Sequence, residues 1–144
     1  MKRPFSFCIF LFCIFSISSF SQQNTFIRTY NLGGMNGGLS IEVMSDGGFV
    51  GTGQHEDNGL CRVYVYRIDE CGEIIWFNLY TAGGGLAINE TSDGGVIIAG
   101  IDGPLVGYGI LLKLDANGNV DWQMGYNNGE SLCSVTETDR KSVV

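Results

Sequence analysis

The 144-residue sequence has one histidine, His55, and no Cys-x-x-Cys pair or Cys/His cluster. Structural zinc sites need four nitrogen or sulfur ligands at close spacing, so no zinc site is expected. Beyond the first three residues basic side chains are scarce. Between Gln22 and Thr138 only Arg28, Arg62, Arg67 and Lys113 oppose fourteen acidic residues. A phosphate backbone would be repelled by that field, which argues against nucleic acid as a partner. Nowhere do apolar residues recur at helical spacing over ten residues, so the chain reads as all-β. The longest apolar run, from Phe5 to Phe20, is short of the roughly 20 residues that span a bilayer.

That run has the layout of an export signal. Met1-Lys2-Arg3 is a short positive start, the apolar stretch follows, and Ser19-Phe20-Ser21 puts small residues at −3 and −1 of a cleavage point. Residues 1–21 are therefore read as a signal peptide cleaved near Ser21, leaving a secreted or cell-surface chain that starts at Gln22 and has no membrane anchor. Cys8 and Cys13 lie inside the apolar run, so a lipid-bearing cysteine at the cleavage point is not expected. Three cysteines then remain: Cys61, Cys71 and Cys133. The number is odd, and Cys61 and Cys71 fall at opposite ends of one expected strand, too far apart for a disulfide.

An internal repeat dominates what remains. Residues 39–53 (LSIEVMSDGGFVGTG) align with residues 86–100 (LAINETSDGGVIIAG), and residues 67–76 (RIDECGEIIW) with residues 113–122 (KLDANGNVDW). Tyr80 and Tyr126 continue the second match. A third copy is read from Leu132, with Asp139 seven residues on, as Asp46 follows Leu39 and Asp93 follows Leu86. Ahead of the first copy, Phe26-Ile-Arg-Thr-Tyr30 matches Trp76-Phe-Asn-Leu-Tyr80 and is read as the last strand of a preceding unit. The period of 46–47 residues is that of a supersecondary unit stacked in tandem.

Each unit reads as four short strands: 39–44, 49–53, 62–69 and 74–80 in the first, and 86–91, 96–100, 108–115 and 120–126 in the second. Leu39, Ile41 and Val43 alternate with polar residues, as in a half-buried strand. Ser45-Asp46-Gly47-Gly48 is read as a tight two-residue hairpin, residues 55–59 as a polar loop, and Asp69-Glu-Cys-Gly72 as a turn. Gly83-Gly84-Gly85 and Gly33-Gly34 lack the Lys-Ser/Thr and helix of a phosphate loop, so they are read as connections between units. The expected fold is all-β: tandem four-stranded antiparallel units forming an incomplete β-propeller of about two to three blades. The expected units are about 37–83 and 84–129, with a third starting at 130, all within residues 22–138.

Ser-Asp-Gly-Gly-Val-Ile-Ile-Ala-Gly (92–100) and Leu-Leu-Lys-Leu-Asp-Ala-Asn-Gly-Asn-Val-Asp-Trp (111–122) resemble the repeats of secreted bacterial β-propeller proteins. The Leu-Asp-x-x-Gly-x-x-x-Trp part is also similar to quinoprotein-type blades. The resemblance implies a type IX secretion route, since such proteins often carry the corresponding C-terminal sorting domain. It specifies fold and leaves activity open, because propellers host unrelated functions. The last six residues, Asp139-Arg-Lys-Ser-Val-Val144, break the pattern and match one translated frame of a widely used sequencing adapter. Residues 139–144 are accordingly expected to be a non-native tail on a fragment of a longer protein.

Three candidate sites follow from residue type and spacing. Asp115, Asn117, Asn119 and Asp121 resemble a calcium loop, but Gly118 stands at the fourth place of that series and Tyr126 at the twelfth, where Glu is needed. A metal-free hairpin turn is the preferred reading. His55, beside Glu56 and Asp57, could be a general base, but no nucleophile can be paired with it, and Ile101-Asp-Gly-Pro-Leu offers no equivalent group. It reads as part of a solvated loop. Trp76, Trp122, Tyr80 and Tyr126 could form a sugar platform, yet their recurrence in register favours packing between units. No catalytic, cofactor-binding or metal-binding residue is assigned, and no cofactor is expected. The expected function is an exported, non-catalytic module that binds or scaffolds an unknown protein or glycan, alongside further blades of the same protein. The alternative is part of a secreted propeller enzyme, of glycoside hydrolase or quinoprotein type, with its active-site residues on other blades.

Overall fold

The computed structural model describes residues 26–30, 33–103, 108–127 and 130–138. The expected signal peptide and residues 139–144, including Asp139, lie outside them. Eight strands follow in chain order: β1 (Met35–Val43), β2 (Phe49–Asp57), β3 (Leu60–Ile68), β4 (Ile74–Ala82), β5 (Gly84–Glu90), β6 (Val96–Asp102), β7 (Tyr108–Leu114) and β8 (Val120–Tyr126). They form two four-stranded antiparallel sheets, ordered β1-β2-β3-β4 and β5-β6-β7-β8. Among the described residues there is no helix.

Four hairpins share one turn geometry. In the first, the Gly47 amide donates to Met44 O and the Met44 amide to Gly48 O, so Ser45, Asp46 and Gly47 form a three-residue loop. The pairs 91–95, 69–73 and 115–119 close in the same way. The third loop residue must sit at positive φ, and Gly47, Gly72, Gly94 and Gly118 do so at 77–88°. The expected two-residue hairpin at Ser-Asp-Gly-Gly is thus one residue longer. The turn that does have two residues is Asn58-Gly59, at φ 52° and 76°, joining β2 to β3. This corrects the polar loop expected over 55–59: β2 continues to Asp57, and the Asn-Gly pair alone reverses the chain.

Glycine runs also carry strand. Gly84 and Gly85 pair with Ile101 and Gly100 inside β5, and only Gly83 joins the sheets. This corrects their reading as a connection. A Cβ at Gly85 would collide with the Thr52 side chain, so the bare backbone is what lets β5 lie against the first sheet. Leu39 and Leu86 are equivalent bulged residues, each skipped in the pairing of its strand with the next.

The two sheets share one core. Val50, Val63 and Val65 of the first and Ile88, Ile98, Ile110, Leu112 and Leu114 of the second form a single cluster, with Trp76 and Tyr80 packed against it. Fully burying such a side chain contributes about 1.5–3 kcal/mol. The opposite face of the first sheet is filled differently. Tyr64 and Tyr66, 6.1 Å apart and stacked, lie over Gly53 and Gly51, where a Cβ would strike their rings. The positions cross-strand in the second sheet are Gly100 with Ile110 and Ile98 with Leu112. Tyrosine-on-glycine pairs in one sheet thus stand where a Gly–Ile and an Ile–Leu pair stand in the other.

Candidate functional site

The polar residues that recur in each unit converge on the junctions between sheets. Glu90, at the end of β5, reaches back to the Ser-Asp-Gly-Gly turn of the first sheet. Its carboxylate accepts the Ser45 amide at 2.7 Å and the Ser45 hydroxyl at 2.7 Å. Glu137 repeats this at the next turn, accepting the Ser92 amide at 2.5 Å and hydroxyl at 3.2 Å. Both pairs are 45 residues apart in sequence. By contact, Glu137 stands to Ser92 as Glu90 stands to Ser45. Glu90 lies three residues before Asp93, whereas Glu137 lies two before Asp139. The alignment that equated Leu132 with Leu86 is therefore one residue out of step with the contacts.

A second junction is aromatic. Trp76 donates from Nε1 to Ala116 O at 3.1 Å, and the Tyr80 hydroxyl donates to Gly118 O at 2.7 Å. Both residues leave β4 to cover the Asp115–Gly118 turn of the second sheet. Burial pushes the Tyr80 phenol above its ordinary pKa. The same arrangement exists one unit earlier, where the Tyr30 hydroxyl donates to Gly72 O at 2.7 Å and a Cβ on Gly72 would meet the Phe26 ring. Phe26 and Tyr30 thus occupy the places of Trp76 and Tyr80, although residues 26–30 have no strand pairing. Trp122 and Tyr126 are half-buried at the corresponding place on β8.

Within each sheet an ion pair braces the first hairpin. Arg67 meets Asp46 at 2.6 Å, and Lys113 meets Asp93 at 2.9 Å. The Gly48 amide and the Arg67 guanidinium hold the Asp46 carboxyl below its usual range. The Thr91 hydroxyl, Lys113 and the Gly95 amide hold Asp93 well below it. Lys113 is buried and also reaches Leu114 O at 3.0 Å and Asp121 at 3.5 Å.

The calcium-like series is accounted for by these bonds. Asp115 Oδ1 accepts the amides of Asn117 and Asn119, both at 2.8 Å, and Oδ2 accepts the Asn119 side chain at 2.9 Å. Asn119, through its side chain and then its amide, keeps that carboxyl below its usual range. Asp121 turns to Lys113 instead, so the four oxygens do not converge. His55 is not in a loop: it lies within β2, 6 % exposed, with Nδ1 2.7 Å from Asn36 Oδ1. Glu56 and Asp57 beside it point to solvent. Strand alternation turns Glu56 to the face opposite His55, while Asp57, on the His55 face, is exposed at the end of β2 beside the Asn-Gly turn.

Sequence reasoning missed the Glu–Ser clasps. The signal was the serine that opens both Ser-Asp-Gly-Gly motifs, read there as turn chemistry alone. Between the two turns lies an open groove of about 580 Å³ lined by Ser45, Glu90, Thr91, Ser92, Asp93 and Gly94. Its polar side chains are already bonded to one another or to the chain. Among the described residues no group of three His, Cys, Asp or Glu could hold a metal. No protein-family model matches the chain, and no curated protein matches it.

Proposed function

We propose that this chain is a section of an exported, non-catalytic repeat module of the β-propeller type, which binds or scaffolds protein or glycan outside the cell. One observation carries the reading. The positions that recur from unit to unit, Ser45/Ser92, Glu90/Glu137, Phe26/Trp76 and Tyr30/Tyr80, are engaged in joining one unit to the next. Recurrence of that kind serves an extended scaffold, whose loops and outer faces present the binding surface. The Arg67–Asp46 and Lys113–Asp93 pairs brace hairpins, and His55 and Asp115 have partners of their own in Asn36 and Asn119.

Export and binding are tested separately. Expressed with its leader, the chain should leave the cytoplasm and begin at Gln22 when its N-terminus is sequenced; retention with an intact leader would overturn the export reading. The exported chain should then bind saturably to a component of an array of cell-surface glycans and envelope proteins, without altering it. Turnover of a bound glycan would overturn the non-catalytic reading, and absence of any binding would overturn the binding one.

A further inference from the structure

We infer that His55, Tyr64 and Arg62, with the glycine-rich start of β1 as their floor, form a site for a glycan that carries isolated carboxylates, as uronic-acid residues do. The inference rests on the binding reading above and narrows it to one ligand class.

Pairing puts these side chains on one face of the first sheet. Asn36, His55 and Arg62 stand opposite one another across β1, β2 and β3, and Gly38, Gly53 and Tyr64 do so one step along. His55 is 6 % exposed and Tyr64 4 %. Asn36 donates from Nδ2 to Gly33 O at 2.7 Å, which turns its Oδ1 to His55 and places the imidazole proton on Nδ1. Nε2 is then a bare acceptor. Among the described residues neither it nor the Tyr64 hydroxyl has a hydrogen-bond partner. Each of these atoms faces a glycine. A Cβ on Gly34 would come within 3.3 Å of Nε2, and one on Gly38 within 3.3 Å of the Tyr64 hydroxyl. Both glycines are exposed, so bare backbone is what keeps two otherwise enclosed groups reachable. A polar atom on a side chain so enclosed is poorly hydrated, and a ligand hydroxyl repairs the deficit. The Tyr64 ring itself is covered, so it offers its hydroxyl and no stacking face.

Arg62 supplies the charge. Arg28, Arg67 and Lys113 each meet a carboxylate, at 2.6, 2.6 and 2.9 Å. Exposed Arg62 is the one basic side chain among the described residues with no acidic partner, and Asp57 on the same face forms no ion pair with it. Directly opposite positions on paired strands are about 5 Å apart. One sugar ring therefore spans the pair, its carboxylate on the Arg62 guanidinium and a hydroxyl donating to Nε2. An aspartate or glutamate side chain brings the carboxylate without that hydroxyl. The fourteen acidic residues against four basic ones between Gln22 and Thr138 repel a densely charged polyanion, which favours glycans with sparse carboxylates. The equivalent positions in the second sheet, Asp102 and Tyr108, hold no cation. Recurring positions join units, whereas this pair does not recur and is left unengaged. The aliphatic stretch further along β1 bounds the site. Ile41 there is 60 % exposed, against 5 % for its counterpart Ile88, but it has no polar atom to orient a sugar.

His55 is the single histidine, so its imidazole signals report on the site directly in proton NMR. Methyl β-D-glucuronide titrated into the exported chain should saturably shift the His55 and Tyr64 ring signals and the amides of residues 34–38, leaving those of Ser45 and Ser92 in place. Methyl β-D-glucoside, the same ring without the carboxylate, should bind about tenfold or more weakly. Arg62→Gln, at an exposed position, should weaken glucuronide binding by about tenfold or more, and Tyr64→Phe by about threefold. Equal binding of the two sugars, or glucuronide binding untouched by Arg62→Gln, would overturn the inference. So would the absence of any shift at these signals up to roughly 50 mM glucuronide. Tighter binding of N-acetyl-glutamate amide would also overturn it, by assigning the site to acidic peptide. If a variant fails to fold, the contrast between the two sugars on the unaltered chain decides. Binding of a neutral glycan or a protein away from His55 would sink this inference while the binding reading stands, so the two fail separately.

Discussion

Gly118 and Gly103 separate two reasons for glycine. Their φ angles are nearly equal, +81° and +80°. A Cβ on Gly103 would meet nothing within 4 Å, whereas one on Gly118 would approach Asn78 Nδ2 at 2.9 Å and the Trp76 ring at 3.0 Å. Gly103→Ala should thus cost only the left-handed backbone penalty, about 1–2 kcal/mol. Gly118→Ala should cost that and roughly 1–3 kcal/mol more, since the junction has to open. Equal losses in chemical denaturation would show that Trp76 and Asn78 yield freely. Asp93 makes a prediction in pH. Its folded carboxyl is held well below the ordinary value of about 3.9. Its stabilisation is therefore full above that value and lost as pH falls through the depressed folded one. Asp93→Asn should lower stability at pH 7 by about 1 kcal/mol or less, because the carboxylate is more than half exposed and screened. The difference between the two proteins should shrink as pH is lowered from 4 towards 2. A gap that stayed constant would assign the effect to something other than charge.

At the level of strands, equivalent positions in the two sheets have unequal surroundings. Ile88→Ala should destabilise the protein by about 2–5 kcal/mol, while Ile41→Ala should stay within about 0.5 kcal/mol. Denaturation curves for the two variants check this directly, and similar losses would contradict the exposed β1 face. The strands themselves were largely legible. Alternation in the first strand, residue type, turn signals and the repeat together located all eight, and the Asp-Gly-Gly and Asp-x-x-Gly signals located four of the turns. What misled was the polar stretch His55–Gly59, written as loop although β2 runs on to Asp57 and only Asn58-Gly59 turns the chain. Polar residues are acceptable at the end of a hairpin that projects beyond the shared core, and a pattern count has no way to register that. The Asn-Gly pair was the signal to weigh more heavily. Gly84 and Gly85 misled in the same sense: glycine marks close approach of another backbone or side chain as readily as a break.

Across the molecule, the cluster spanning both sheets couples them. Val50 of β2 is fully buried beside residues of β6 and β7. Val50→Ala should therefore reduce amide protection in β6 and β7 as well as in its own sheet, by a factor of about ten or more per 1.4 kcal/mol lost. Protection lost from the first sheet alone would mean that the two sheets are energetically separate.

Period, strand order and the all-β class were determined by the sequence alone, because strand alternation and turn chemistry are local and each was written out twice. So was the kinship of Phe26 and Tyr30 with Trp76 and Tyr80, which needs only spacing within a short segment. The tertiary structure decided the rest. That Glu90 and Glu137 clasp Ser45 and Ser92 depends on two sheets meeting, since the partners lie 45 residues apart. That His55 is interior depends on how far a hairpin extends. Ile41 and Ile88, alike in the sequence, differ in exposure for the same reason: burial belongs to what lies across from a residue, and the sequence of one strand does not contain its neighbour.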